Sequence, residues 1–215
     1  MLRKLLLCVA LTLPFAATLP SARAADLSAL SRQYSDDMFE AVQSIAVAPN
    51  FTSIQRVQRV VDRLGAVLGK GKWTLVIFQE AKMPKDMDVS AFALPGNRIA
   101  VSDWEASVAS DDALGFTIGH EIGHVELGHQ NQTWAAIIQQ TGVQPKSWTD
   151  LASHAQGVTG LARQQEFAAD KFGFNLANKA GFDAAAGARE LLGRLGEDAL
   201  HPAPAARLTA LGLTP

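Results

Sequence analysis

The residues best suited to chemistry lie in one short stretch, 120–124, which reads His-Glu-Ile-Gly-His. On a helix, positions i and i+4 share a face, so His120 and His124 can direct two imidazole nitrogens at one metal ion. Glu121 lies one residue further round, close enough to face a water bound to that metal. Two neutral nitrogen ligands, an open coordination position and a neighbouring carboxylate are what a zinc hydrolase requires.

A catalytic zinc site also needs a third protein ligand, and Glu166 is the candidate. Residues 161–179 carry apolar side chains at helical intervals, which predicts a second helix. Glu166 and Asp170 share a face of it, so Glu166 can complete a His-His-Glu set. Asp170 can then accept a hydrogen bond from the outer ring nitrogen of a bound histidine. The alternative is a solvated face on which both acids pair with Arg163 or Lys171.

Four segments match, in order, the pattern of one peptidase family. They are 91–96 (AFALPG), 120–124 with His129, 166–170 (EFAAD), and His201-Pro202 with Arg207-Leu208. On these residues the chain resembles the gluzincins, the family of HtpX and the CAAX prenyl proteases. The resemblance implies a zincin-like α+β fold, one zinc ion per chain, protein or peptide substrates and endopeptidase activity. It also implies that the hairpin at 91–101 supplies an edge strand that pairs with substrate backbone.

The chain departs from the family pattern in two ways. Ser90 stands where members often have Asn before Ala-Phe-Ala, and the long transmembrane helices of HtpX and the prenyl proteases are missing. The chain is more similar to a short, soluble bacterial branch of the family.

The tail carries a catalytic prediction, because His201 and Arg207 match the family pattern there. We expect both to face the zinc and to stabilise negative charge on the substrate carbonyl oxygen, an effect often worth ~3 kcal/mol. His201 could instead occupy the open zinc position and silence the site. Arg207 could orient a ligand-side carboxylate, or merely pair with a surface acid.

Residues 1–24 resemble a signal peptide: Arg3 and Lys4 precede an apolar stretch, and 22–24 reads Ala-Arg-Ala, a cleavage site. The apolar run is shorter than the ~20 residues that span a membrane. We therefore expect cleavage near Ala24, a periplasmic or secreted protein, and one metallopeptidase domain over 25–215. Cys8, the only cysteine, falls within this segment.

Loss of 1–24 would change the formal charge from −2 to −5, because three basic residues and no acids lie there. A mildly acidic chain argues against a nucleic-acid partner. No other stretch is apolar enough to cross a membrane.

The pattern elsewhere predicts a mainly helical α+β domain with a small β-sheet. Helices are expected at 27–47, 52–69, 112–129, 161–179, 183–196 and after Pro202, and strands at 73–78, 91–94 and 98–101. The active-site helix is expected to continue or restart through 134–140. Residues 141–160 are the least regular part, either a lid or a surface loop.

Three finer expectations concern the active-site helix. Asp103 is predicted to cap the short helix before it, and Asp111 or Asp112 to cap the helix itself. Gly119 and Gly123 are predicted to let the Glu166 helix approach closely. His129, five residues after His124, does not share the ligand face and is interpreted as structural.

Together these features predict a zinc metalloendopeptidase in which Glu121 accepts a proton from the attacking water. The substrate expected from the resemblance is unfolded or misfolded envelope protein. Two alternatives stay open: a chaperone or binding module that keeps zinc structurally, and a zinc amidase that acts on cell-wall peptides. A structural site has no use for Glu121, which argues against the first.

Overall fold

The computed structural model describes residues 21–83, 89–142, 145–153, 158–198 and 200–215. Within these ranges the chain is mainly helical with one small sheet. The helices are α1 Ser21–Ser44, α2 Ile54–Leu68, α3 Asp103–Val108, α4 Asp111–Glu126, α5 His129–Thr141, α6 Trp148–Ser153, α7 Thr159–Lys179, α8 Ala184–Leu192 and α9 Pro204–Ala210. The strands are β1 Thr74–Phe78, β2 Ala91–Leu94 and β3 Arg98–Ser102, and a 3-10 helix spans Glu80–Lys82.

The sheet has the strand order β1-β3-β2, with β3 parallel to β1 and antiparallel to β2. The predicted hairpin joins β2 to β3 through Pro95-Gly96-Asn97. Gly96 and Asn97 have φ values of +89° and +57°, which suit glycine and asparagine. Among the described residues β2 pairs with β3 alone, so its outer edge is unpaired.

The sheet separates two apolar clusters because its side chains alternate between faces. Ile77, Ile99 and Val101 face α2 and α4 in the main core. Val76, Phe78 and Ala100 face the opposite way, where Phe39 and Val42 of α1 cover them. α1 therefore lies on the side of the sheet away from α4.

Helices α4 and α7 pack with their backbones in close contact, as predicted from the glycines of α4. A Cβ atom on Gly119 would lie 3.0 Å from the Gly173 carbonyl oxygen, and one on Gly123 would lie 3.2 Å from the Ala169 Cα. A Cβ on Gly173 would overlap the His120 backbone. The glycines thus set the spacing between the helix of His120 and the helix of Glu166.

The predicted aspartate caps are wrong, since serine fills both cap positions. Ser102 Oγ accepts from the Glu105 N–H at α3, and Ser110 Oγ accepts from the Ala113 N–H at α4. Asp103 accepts instead from the N–H groups of Trp104 and Glu80, and Asp112 from that of Asp183. Asp103 thus binds one first-turn N–H of α3 and the N–H of Glu80, while Asp112 binds an N–H of the segment before α8, and neither occupies the cap position.

Other predictions meet the structure only in part. Residues 1–20 lie outside the described residues, so the signal peptide and the boundary at 24 stay predictions. The irregular segment 141–160 contains α6, while 143–144 and 154–157 are also outside the description. No helix in the described ranges is both long and apolar enough to cross a membrane.

Candidate metal centre

Helices α4 and α7 bring together the three predicted metal ligands. The Nε2 atoms of His120 and His124 are 3.1 Å apart. Glu166 places one carboxylate oxygen 3.5 Å from His120 Nε2 and the other 3.3 Å from His124 Nε2. One ligand atom from each residue lies within 4.8 Å of the others, so the cluster could hold a metal ion.

The chemistry of the donor atoms fits a cation such as zinc. His120 Nδ1 lies 2.9 Å from Asp170 Oδ1, and an ionised carboxylate only accepts, so Nδ1 donates. The lone pair of neutral His120 is then on Nε2, which faces His124 and Glu166. Glu166 Oε2 is buried without a hydrogen-bond donor, although the Arg207 guanidinium is 3.4 Å away. Two nitrogen donors and a carboxylate are a ligand set that zinc takes in catalytic sites.

Asp170 and Arg207 form a buried ion pair behind His120. The Arg207 guanidinium donates from Nε to Asp170 Oδ2 at 2.7 Å and from Nη2 to Asp170 Oδ1 at 2.6 Å. Asp170 is fully buried and Arg207 is 2% exposed. This two-pronged contact fixes the carboxylate that orients the His120 ring, and it joins α9 to α7.

The charges within the cluster lower the pKa values of two buried acids, Glu166 and Asp170, so that both stay ionised. Burial raises the pKa of Glu166, but His120 and His124 outweigh it and hold that pKa below its usual value. Burial likewise opposes ionisation of Asp170, yet hydrogen bonds from Arg207 and His120 lower its pKa. Burial disfavours protonation of His120, while the surrounding carboxylates, Glu166 first, raise its pKa to about 9. A cation is therefore favoured where the Nε2 atoms meet, whether a proton or a metal ion.

Glu121 lies at the rim of the cluster. Its Oε1 is 3.9 Å from His120 Nε2, and its side chain is 22% exposed, more than that of Glu166. Burial raises the pKa of Glu121, and the two histidines oppose that shift. A general base works best when its pKa is close to the working pH, so a carboxylate with a raised pKa suits this role better than one with the usual pKa.

His129 contacts the site in a way that the sequence analysis missed. Its Nδ1 lies 3.0 Å from Nδ1 of His124, and its backbone carbonyl accepts from Gln165 Nε2 at 3.1 Å. α4 ends at Glu126, and Gly128, with φ of +68°, turns the chain so that His129 begins a new helix. His129 is outside the ligand cluster, in line with its structural interpretation, but a helix expected to continue to residue 129 did not predict its contact with His124.

His129 is neutral at neutral pH. Burial and the adjacent His124 lower its pKa to about 4. Its Nδ1 can then accept a hydrogen bond from His124 Nδ1, which leaves the His124 lone pair on Nε2. His129 therefore accepts a hydrogen bond from the outer ring nitrogen of His124, as Asp170 does from that of His120. His129 is not itself part of the ligand cluster.

The two tail residues have separate outcomes. Arg207 reaches the site, but its guanidinium is occupied by Asp170 and Glu166, so the contacts fit the predicted orientation of a ligand-side carboxylate and not a surface ion pair. His201 pairs with Asp198 at 2.9 Å, and its side chain is 43% exposed. None of the interactions described for His201 involves the cluster, and both of its predicted roles stay predictions.

Comparison with known families gives the same class as the geometry. The model of peptidase family M48 matches residues 50–213, most of the chain. No curated protein matches the chain. The chain belongs to peptidase family M48, the zincin-like family of HtpX and the CAAX prenyl proteases. Metallopeptidases of this family use zinc, and the His120, His124 and Glu166 cluster could bind it.

Proposed function

We propose that the protein is a zinc-dependent metalloendopeptidase. The observation that carries the proposal is the His120, His124 and Glu166 cluster with Glu121 beside it, in a chain that belongs to a peptidase family. Zinc, when bound there, acts as a Lewis acid and lowers the pKa of a coordinated water. Glu121 accepts a proton from the attacking water and can return it to the leaving amine.

The edge strand β2 supports an endopeptidase rather than a hydrolase of small molecules. Its outer edge is unpaired among the described residues, and α4, the helix of His120 and His124, packs against it. An extended peptide can pair with such an edge through backbone hydrogen bonds, with little dependence on its side chains. That mode suits unfolded or misfolded proteins, which we propose as substrates in the bacterial envelope, with the protein periplasmic or secreted.

The first test is metal analysis of the purified protein together with an activity assay. We expect about one zinc per chain and casein hydrolysis that a chelator abolishes and added zinc restores. Release of peptides from peptidoglycan without casein hydrolysis would contradict the endopeptidase proposal. Bound zinc with neither activity would contradict hydrolysis altogether.

Replacement of Glu121 by Gln tests the assignment of the base. Glutamine keeps the shape of the side chain but cannot accept the proton, so we expect kcat to fall at least about 100-fold. Zinc content and the melting temperature should stay close to those of the wild type. Glu126→Gln is the matched control, because Glu126 is on the same helix and pairs with Lys70 at 2.6 Å. A Glu121→Gln variant that binds zinc and keeps activity within about tenfold would contradict the role.

A further inference from the structure

A cavity of about 340 Å³ opens beside the metal centre, between α1, α5, the end of α4 and the β2–β3 turn. His124 forms part of its wall, so the cavity reaches one of the proposed ligands directly. Ala93 and Pro95 line it from the hairpin, Gln130 and Trp134 from α5, and Tyr34 from α1. Ligand-binding pockets span about 300–1,000 Å³, so this cavity is at the small end of that range and has room for one amino-acid side chain.

The wall contributed by α1 is tied to the other walls by specific contacts. Ser35 Oγ donates to the Pro95 carbonyl oxygen at 2.7 Å, and Ser31 Oγ donates to Gln130 Oε1 at 3.1 Å. The Tyr34 and Trp134 rings meet edge to face with centroids 5.8 Å apart. α1 is thus held against both the hairpin and α5. It also lies outside residues 50–213, the part of the chain that matches the family.

The lining determines which side chains the cavity accepts. None of the described residues that line it is Asp, Glu, Lys or Arg, and its polar groups are hydroxyls, amides and imidazoles. A charged side chain that entered would lose water without gaining an opposite charge, which is costly. An aliphatic or uncharged polar side chain would contact the two aromatic rings and could hydrogen-bond to the amides.

The hairpin connects the cavity to the proposed course of the substrate. Ala93 lies on the face of β2 that looks toward α4, in contact with the main core. A peptide paired with the outer edge of β2 places every second side chain on that same face. One of those side chains is then next to Ala93, at the mouth of the cavity.

We propose that this cavity binds one uncharged side chain of the substrate peptide and that α1, through Tyr34, sets the cleavage preference of the enzyme. The proposal rests on the proposed endopeptidase function. It adds a substrate class to that function: extended peptides with an aliphatic or uncharged polar residue at one fixed position near the cleaved bond.

The test uses one peptide that the zinc-loaded wild-type protein cleaves. Each of the three positions on either side of the cleaved bond is replaced in turn by Leu, Gln, Lys or Asp, and kcat/KM is measured. We expect one position at which Leu and Gln are preferred over Lys and Asp by about tenfold or more, because a charge there is desolvated without a partner.

The Gln130→Glu variant tests whether the cavity wall causes this preference. Glutamate keeps an oxygen that can accept from Ser31 but adds a negative charge to the wall. We expect the discrimination against Lys to fall about tenfold at that one position, while Asp is rejected more strongly. Gln139→Glu is the matched control, because Gln139 is on the same helix, exposed, and outside the cavity lining. Equal effects of the two variants, or an effect of Gln130→Glu at no position, would overturn the proposal.

The Tyr34→Leu variant tests the part played by α1. The shorter side chain enlarges the cavity, so the preference at the same position should shift from Leu toward Phe, with other positions unchanged. An unchanged ratio of Phe to Leu in a variant with wild-type secondary structure would exclude α1 from specificity.

A wild-type protein that cleaves no peptide would contradict the proposed function rather than the cavity. Peptide binding to zinc-loaded Glu121→Gln, measured by calorimetry, then decides whether the cavity selects an uncharged side chain. Tighter binding of the Leu peptide than of the Lys peptide, with the difference reduced by Gln130→Glu, supports the cavity. Equal binding of the two peptides overturns it.

Discussion

The two histidines of the metal centre are supported from behind in different ways. His120 is backed by Asp170, which is fully buried and fixed by two hydrogen bonds from Arg207. His124 is backed by His129, a neutral ring whose residue accepts a hydrogen bond from Gln165 of α7 at its backbone carbonyl. The His120 side chain is 7% exposed and that of His124 is 27% exposed.

The two supports therefore differ in what else they connect to. The support of His120 is a charged network that joins α4, α7 and α9, so it couples the position of a ligand to the packing of the helices. The support of His124 is uncharged and lies beside the proposed substrate cavity. We therefore expect stability and metal affinity to depend more on the first support than on the second.

Loss of the ligand that both histidines share should have the largest effect. Glu166 contributes an oxygen near each Nε2 atom, and its removal leaves only two protein ligands. Loss of a hydrogen-bond partner of a metal ligand typically lowers metal affinity about 10–100-fold. We expect Glu166→Ala, which removes a ligand itself, to lower zinc affinity by more than this. Competition with a fluorescent chelator measures this, and an affinity like that of Asp170→Ala would contradict the ligand assignment.

Replacement of Arg207 by Met should give the largest loss of stability. It leaves the buried Asp170 carboxylate without its guanidinium, which typically costs about 3–5 kcal/mol. Urea unfolding of the metal-free protein measures the change in the free energy of unfolding. Arg163→Met is the matched control, because Arg163 pairs with Glu197 at the surface and should cost at most about 1 kcal/mol. Equal losses would mean that the buried network does not support the fold.

Asp170→Ala should weaken zinc binding by about 10–100-fold, since His120 loses the carboxylate that orients it. Chelator competition on protein whose circular dichroism matches that of the wild type gives this value. A variant with wild-type affinity would exclude the orienting role of Asp170.

His129→Ala should have the smallest effect, near or below the lower end of the same range, about tenfold or less. A water can replace the neutral ring as hydrogen-bond acceptor for the partly exposed His124. A loss of zinc affinity equal to that of Asp170→Ala would remove the distinction between the two supports.

Much of the fold and of the candidate site could be predicted because their signals are local. The i, i+4 spacing of His120 and His124 places both on one helical face, whatever that helix packs against. The same spacing placed Glu166 and Asp170 together on α7. The β-branched and aromatic run at 73–78 predicted one strand, and the turn residues at 95–97 predicted the two strands that flank them. Gly119 and Gly123 indicated that another helix would approach α4 closely.

The errors occurred where a residue had several partners within reach. Asp103 and Asp112 are suitable caps by type, but Ser102 and Ser110 precede their helices and take that role. The position of His129 depended on the break at Gly128, since a single residue of positive φ redirects all that follows it. Local periodicity does not contain that information.

The sequence alone determined which residues can serve as metal ligands and base, since residue type and helical spacing fix what one face of a helix offers. Asp170 was predicted to support one of the histidines, but only the tertiary structure decided that this is His120, that Arg207 holds Asp170, and that His129 supports His124. Arg207 reaches Asp170 across 37 positions of the chain, and α1 reaches the cavity from outside the family match. Such contacts depend on how helices pack against one another, and packing is set by the shape of many side chains together rather than by any short stretch.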